Sequence, residues 1–109
     1  MKPVSAQGYR LKMHRELVKD RAAEADLIGI WLYTFETWSE AQADRYLSTL
    51  ERGIQEIADA PERGNQRDAL RAGYWSKKLE HHIVFYTFTG EEVRIRRVLH
   101  EVMDVGRHL

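Results

Sequence analysis

The stretch His82-Ile83-Val84-Phe85-Tyr86-Thr87-Phe88 decides the fold. It is rich in β-branched and aromatic residues and contains neither Gly nor Pro, which predicts a strand at the centre of a sheet. Thr89-Gly90-Glu91 follows as a hairpin turn. Val93, Ile95 and Leu99 then alternate with Arg94, Arg96 and Val98, so the next strand should carry one wet face. Arg97 falls in phase with the apolar set, an unusual place for a cation. Upstream, Leu70 to Leu79 also reads as a strand, with Gly73 as a bulge or a point of close approach. These segments predict an antiparallel meander.

Further out, the period changes to that of helices. Asp20 is placed to cap the segment Arg21 to Trp38, in which Ala23, Leu27, Ile30, Trp31, Thr34 and Trp38 fall on one stripe. Core packing is the expected role of Trp31 and Trp38. Ser39 with Gln42 three residues later resembles a capping box and opens a second helix, about Glu40 to Ala60. Ala43, Tyr46, Leu47, Leu50, Ile54, Ile57 and Ala58 form its apolar face; Pro61 ends it, and Gly64-Asn65 marks a turn. Two long helices so briefly joined predict an antiparallel hairpin. His14 to Lys19 supplies a first strand, alone or lengthened by Tyr9 to Met13, and Glu101 to His108 a short closing helix. The expected class is α+β, in the order β-α-α-β-β-β-α, with an antiparallel sheet of three to four strands packed against the helical hairpin. Residues 1–12 read as an N-terminal extension and 13–109 as a single domain; translation from Met1 or from Met13 fits equally.

The chain has 109 residues, enough for one domain, and 43% are hydrophobic. It has no cysteine, which excludes a disulfide framework, a thiolate metal site and a cysteine nucleophile. There is no apolar run of the roughly 20 residues that span a bilayer, and Met1 to Lys12 lacks the apolar stretch of a signal peptide, so a cytoplasmic location is expected. Seventeen acidic residues balance 17 basic ones, which argues against a grip on nucleic acid made mainly through phosphates. Residues 71–109 are the more cationic part, with 7 Lys/Arg against 5 Asp/Glu and four of the five histidines.

These words, in this order, resemble the ParE branch of the ParE/RelE toxin superfamily. The resemblance rests on Ala25-Asp26-Leu27, Ile30-Trp31, Tyr33-Thr34 and Trp38, then Gln42-Ala43 and Tyr46, Pro61 and Gly64, Leu70-Arg71 and Gly73-Tyr74. It continues through His82 to Tyr86, Arg97-Val98-Leu99-His100, Met103-Asp104 and Arg107-His108-Leu109. It covers about Leu17 to Leu109. It implies a toxin of a type II toxin–antitoxin pair, held inactive by a ParD-like ribbon-helix-helix antitoxin whose disordered tail folds on the toxin. It also implies DNA gyrase as the target, reached by protein contact without catalysis, and no cofactor.

A second chemistry to consider is the ribosome-dependent mRNA cleavage of RelE-like toxins. Cutting RNA requires cations for the developing phosphorane and an acid for the leaving oxygen. Arg71, Lys77, Lys78, Arg94, Arg96 and His100 are candidates, but no tyrosine follows Tyr86 and the chain is neutral. A third reading is an inactive member that serves only in antitoxin binding and operon repression. On the first reading the target-binding residues are Arg94, Arg96, Arg107, His108 and Leu109, with Arg71 and Lys77. Phe35 and Tyr46 are the exposed apolar residues expected to meet the antitoxin. Arg97 is expected to be structural, paired with Asp104 or Asp26, because an unpaired buried cation is very costly. His100 and Asp104 belong to the same junction, His100 either anchoring the turn or facing the target. Arg107, His108 and Leu109 have no evident structural duty in the sequence. His81-His82 is not expected to bind metal, since adjacent strand residues face opposite sides.

Overall fold

The computed structural model describes residues 15–103 and 105–109. The expected N-terminal extension, His14 and Asp104 lie outside the described residues. Strand β1 (Glu16–Lys19) leads into α1 (Arg21–Thr37) and α2 (Glu40–Asp59), then a single 3-10 turn (Pro61–Arg63). Strands β2 (Asn65–Gln66), β3 (Trp75–Leu79), β4 (His82–Phe88) and β5 (Glu92–His100) follow, and α3 (Val105–His108) closes the chain. The α+β class and the helical hairpin stand as expected. The sheet is larger than expected, with five strands in the order β1-β5-β4-β3-β2. It is also mixed, because β1 lies parallel to β5 while the other pairs are antiparallel. The chain returns to β1 only after the whole hairpin and meander, a long-range pairing that local pattern does not reveal.

Both ends of α2 follow from its sequence. The Ser39 side chain accepts from the Gln42 amide at 3.1 Å, and Pro61 begins the 3-10 turn after Asp59. Asp20 stands at the N-cap of α1 but its side chain makes no cap hydrogen bond. Its carboxylate is taken instead by two arginines of β5. The segment before β3 is a turn rather than a strand. The Leu70 and Arg71 amides donate back to the Arg67 carbonyl. Gly73 adopts φ +79°, and its amide donates to the Asp68 carboxylate at 2.8 Å. That left-handed conformation suits glycine, and an Asp supplying a local acceptor competes with strand pairing.

The main core lies between the hairpin and one face of the sheet. It joins Ala23 and Leu27 of α1, Leu50, Ile54, Ile57 and Ala58 of α2, and Val84, Tyr86, Val93, Ile95 and Val98 of the central strands. Tyr86 is fully buried and its hydroxyl donates to the Pro61 carbonyl at 2.6 Å. The same hydroxyl occupies the space that a Cβ at Gly64 would need. A smaller core covers the opposite face of the sheet, where Tyr74, Phe85 and Leu99 are buried under Ile83, Val105 and Leu109. Between them the β4–β5 ladder shifts register: Phe85 opposes Arg97 and Tyr86 opposes Ile95, leaving Arg96 as the extra residue of a bulge. The bulge re-phases β5. Val98 therefore continues the Val93/Ile95 face, and Arg97 sits on the face away from the hairpin rather than in phase with the apolar set.

Candidate functional site

The face of the sheet away from the hairpin gathers most of the cations singled out in the sequence. Arg94 donates through Nη1 to Asp20 Oδ1 at 3.0 Å and through Nε to Glu92 Oε2 at 2.9 Å. Arg96 donates through Nη1 to Asp20 Oδ2 at 3.2 Å and through Nε to the Thr87 hydroxyl, also at 3.2 Å. Burial pushes the Asp20 carboxyl up, but the hydrogen bonds from Arg94 and Arg96 outweigh it and hold the group below its ordinary value. The Glu92 and Asp20 carboxylates hold the Arg94 guanidinium above its own. Sequence reasoning placed Arg94 and Arg96 on a wet face. The structure adds that each is about one-third exposed and anchored by acids.

Arg97 pairs with Asp26 of α1 at 2.8 Å through Nε and 2.9 Å through Nη2. The hydrogen bond to Asp26 raises the guanidinium's pKa further. Asp26 also accepts from the Val98 amide at 2.9 Å. β1 pairs with β5 only as far as Ile95, so here a carboxylate on α1 satisfies the strand edge that β1 does not reach. Arg97 Nη1 donates to the His108 carbonyl at 2.7 Å, and Arg71 Nη1 donates to the Leu109 carbonyl at 3.3 Å. The C-terminal residues thus have structural contacts that the sequence did not suggest. Two carbonyls are held by arginines, and Leu109 packs on the smaller core. Lys77 is separated from this group. It opposes Val84 in the ladder, so it shares the face that carries the hairpin.

A second feature lies beside α1. A groove of about 900 Å³ runs between α1 and the end of β5, with Tyr33, Trp38, Tyr46, His82, His100 and Met103 among its lining. Trp38 does not pack in the core: it follows the last residue of α1 and is 74% exposed. Trp31 is half-buried, its indole N–H donating to Asp44 at 2.9 Å and its ring stacked on Phe35. Phe35 is exposed as expected. Tyr46 is half-buried and engaged. Its hydroxyl accepts from the His81 amide at 3.1 Å and lies 2.7 Å from His82 Nδ1. With His82 neutral, the Tyr46 hydroxyl can give its proton to Nδ1 while accepting the His81 amide. Burial pushes the His82 pKa down to about 4, helped by the neighbouring His100 and His81. His100 meets His82 edge to face and accepts the Val102 amide at 3.2 Å, fixing the turn after β5. Behind it, Glu101 takes Lys78 at 2.7 Å and His81 at 3.1 Å, and the Lys78 hydrogen bond leads in lowering its pKa to about 2. Sequence reasoning missed Tyr46–His82 because the partners are 36 positions apart. Among the described residues no three potential ligands cluster to hold a metal ion, and no helix is long and apolar enough to cross a membrane.

The fold is that of solved bacterial toxins of toxin–antitoxin systems. The chromosomal ParDE system of P. aeruginosa aligns with TM-score 0.72 at 19% identity, over 81% of this chain and 97% of that one. A YoeB/ParE toxin from Agrobacterium tumefaciens aligns at 0.52 and 18%, over 78% and 96%. Sequence narrows the class. Residues 17–105 match the family model of the ParE toxin of type II toxin–antitoxin system, parDE. Toxin ParE1 of Caulobacter vibrioides is 42% identical over 82% of this chain and 92% of its own length. Toxin ParE1 of Mycobacterium tuberculosis is 40% identical over 81% and 91%, and Toxin ParE of Escherichia coli 38% over 80% and 85%. The chain belongs to the ParE toxin family.

Proposed function

We propose that this toxin is neutralised by a ParD-like ribbon-helix-helix antitoxin and acts in the cytoplasm on DNA gyrase by protein contact, without catalysis of its own. The anchoring of Arg71 and Arg97 at the C-terminal residues, and of Arg94 and Arg96 at Asp20, carries this reading. A nuclease needs cations free to meet a developing phosphorane. Here Arg94, Arg96 and Arg97 are each held by a carboxylate, and Arg71 by a backbone carbonyl. Such cations make a firm surface more readily than a reactive one. The target-facing residues are then Arg107, His108 and Leu109 with the Arg94–Arg96 pair and Arg71, while Lys77 contributes from the other face. Phe35 and the groove reaching Tyr46 form the ground for an antitoxin tail, which gains most where it covers exposed apolar side chains.

The test adds purified toxin to gyrase and relaxed plasmid. Supercoiling should be blocked and cleaved DNA should accumulate, and Arg107→Ala with His108→Ala should reduce the effect at least tenfold, about 1.4 kcal/mol of contact. An untouched gyrase together with mRNA cut in a translation extract would assign RelE-type chemistry instead. Neither activity, with harmless expression, would leave only antitoxin binding and repression.

A further inference from the structure

Asp20 stands at the N-cap of α1 in an extended conformation that suits capping, with φ −64° and ψ 154°, yet its side chain makes no cap hydrogen bond. An Asp at this position ordinarily gives its carboxylate to a free amide of the first turn. Here Oδ1 accepts from Arg94 Nη1 at 3.0 Å and Oδ2 from Arg96 Nη1 at 3.2 Å. Departures of this kind from local rules concentrate at functional sites.

The two arginines are not equivalent. Arg94 has every nitrogen engaged: Nη1 on Asp20, and Nε and Nη2 on the two oxygens of Glu92 at 2.9 and 3.2 Å. Arg96 is held through two nitrogens, Nε on the Thr87 hydroxyl and Nη1 on Asp20. Among the described residues its Nη2 has no hydrogen-bond partner. Arg96 is also the extra residue of the β5 bulge, and a bulge re-aims the side chain it carries. The start of α1 and the neighbouring strand β4 thus fix a guanidinium that keeps one edge open.

We infer that Arg96 is the residue of β5 that reads the target, offering its Nη2 edge to one oxygen of a protein partner, a carboxylate or a carbonyl. Asp20 and Thr87 are positioning residues that hold this edge in place, and Arg94 serves within the pair as the brace of Asp20. The inference rests on the reading of this sheet face as the target surface. Holding a long side chain in one geometry before contact lowers the ordering cost of binding. Charge favours a protein oxygen over a nucleic-acid backbone. Arg94 and Arg96 are balanced by Asp20 and Glu92, whereas a grip on phosphates needs cations in excess.

Two quantities test this for each full-length variant: the concentration that half-inhibits gyrase supercoiling, and the expression level that arrests growth without antitoxin. Arg96→Lys keeps the charge but loses the fork of donors, and should weaken both about tenfold. Arg94→Lys should cost about threefold, by loosening the brace. Asp20→Ser removes both acceptor oxygens yet supplies a capping hydroxyl, so the urea midpoint should stay near the parent's while potency falls about fivefold. Asp20→Asn also caps and keeps one oxygen, and its potency should fall between Asp20→Ser and the parent. In the Arg96→Lys background Asp20→Ser should cost nothing further, which a role confined to the fold would not produce. Arg96→Lys at parental potency, Arg94→Lys as damaging as Arg96→Lys, or an Asp20→Ser loss of equal size in both backgrounds overturns the proposal. Binding to a DNA duplex alone that Arg96→Lys abolishes overturns it too, because the acceptor is then a phosphate. If the pattern appears in growth arrest while gyrase is untouched, Arg96 still reads the target and the target is not gyrase. A parent chain inactive in both measurements overturns this inference together with the reading on which it rests.

Discussion

Asp26 holds three donors at once: two from Arg97 and the Val98 amide. Asp26→Ala should cost about 2–4 kcal/mol in urea unfolding, since it strands a largely buried guanidinium and an unpaired amide. Asp26→Asn should cost less, because one carbonyl acceptor remains. The cost of an unpaired charge made Asp26 a candidate partner from sequence alone. That Arg97 lies on the far face was not legible, because the bulge at Arg96 depends on the register of β4 and not on β5 itself. His82 predicts a pH effect. Its pKa is about 4 in the folded chain against an ordinary 6.5. Between those values the unfolded state binds the extra proton, so stability is full above about pH 6.5 and falls as pH drops toward 4. A shift of this size corresponds to about 3 kcal/mol, which solvent at a half-buried ring reduces to about 1–2 kcal/mol. Thermal melts from pH 7 to pH 4 should show the decline, and His82→Gln should flatten most of it. An equal slope in both proteins would mean that other groups cause it.

Among the elements, α2 was read most completely and α1 least. The cap at Ser39, the apolar face and the stop at Pro61 are local signals, and all three appear in the structure. In α1 the stripe through Ala23 and Leu27 is buried as expected, but apolar residues also populate the rest of its circumference. Periodicity does not separate core from surface in such a helix, which is why Trp38 was assigned to the interior. The two faces should separate by mutation. Leu27→Ala, at 6% exposure, should cost about 2–4 kcal/mol by opening a cavity. Ile28→Gln, one residue on, should stay within about 0.5 kcal/mol in dilute solution. Chemical denaturation of both variants measures the contrast, and a comparable loss at Ile28 would place that side chain in the monomer core.

Over the whole molecule the sheet carries two cores of unequal size, and the smaller one depends on the end of the chain. Its buried members Tyr74, Phe85 and Leu99 come from the turn before β3 and from the two central strands; Val105 and Leu109 complete it. The central hairpin was legible because its residues are neighbours in sequence. The lid was not, because Leu109 packs on residues of β4 and β5, and the carbonyls of His108 and Leu109 are met by Arg97 and Arg71 from distant positions. The lid changes how the C-terminal residues must be tested. Removing residues 107–109 to probe toxicity would also withdraw the Leu109 side chain and two carbonyl acceptors, and should lower stability by about 1–3 kcal/mol. His108→Ala keeps the backbone carbonyl that Arg97 uses and should leave stability within about 0.5 kcal/mol. Urea midpoints measured beside gyrase inhibition therefore separate the two roles. Loss of inhibition in His108→Ala at an unchanged midpoint marks a target contact. Loss in the truncated chain alone, with a lowered midpoint, marks a support of the fold.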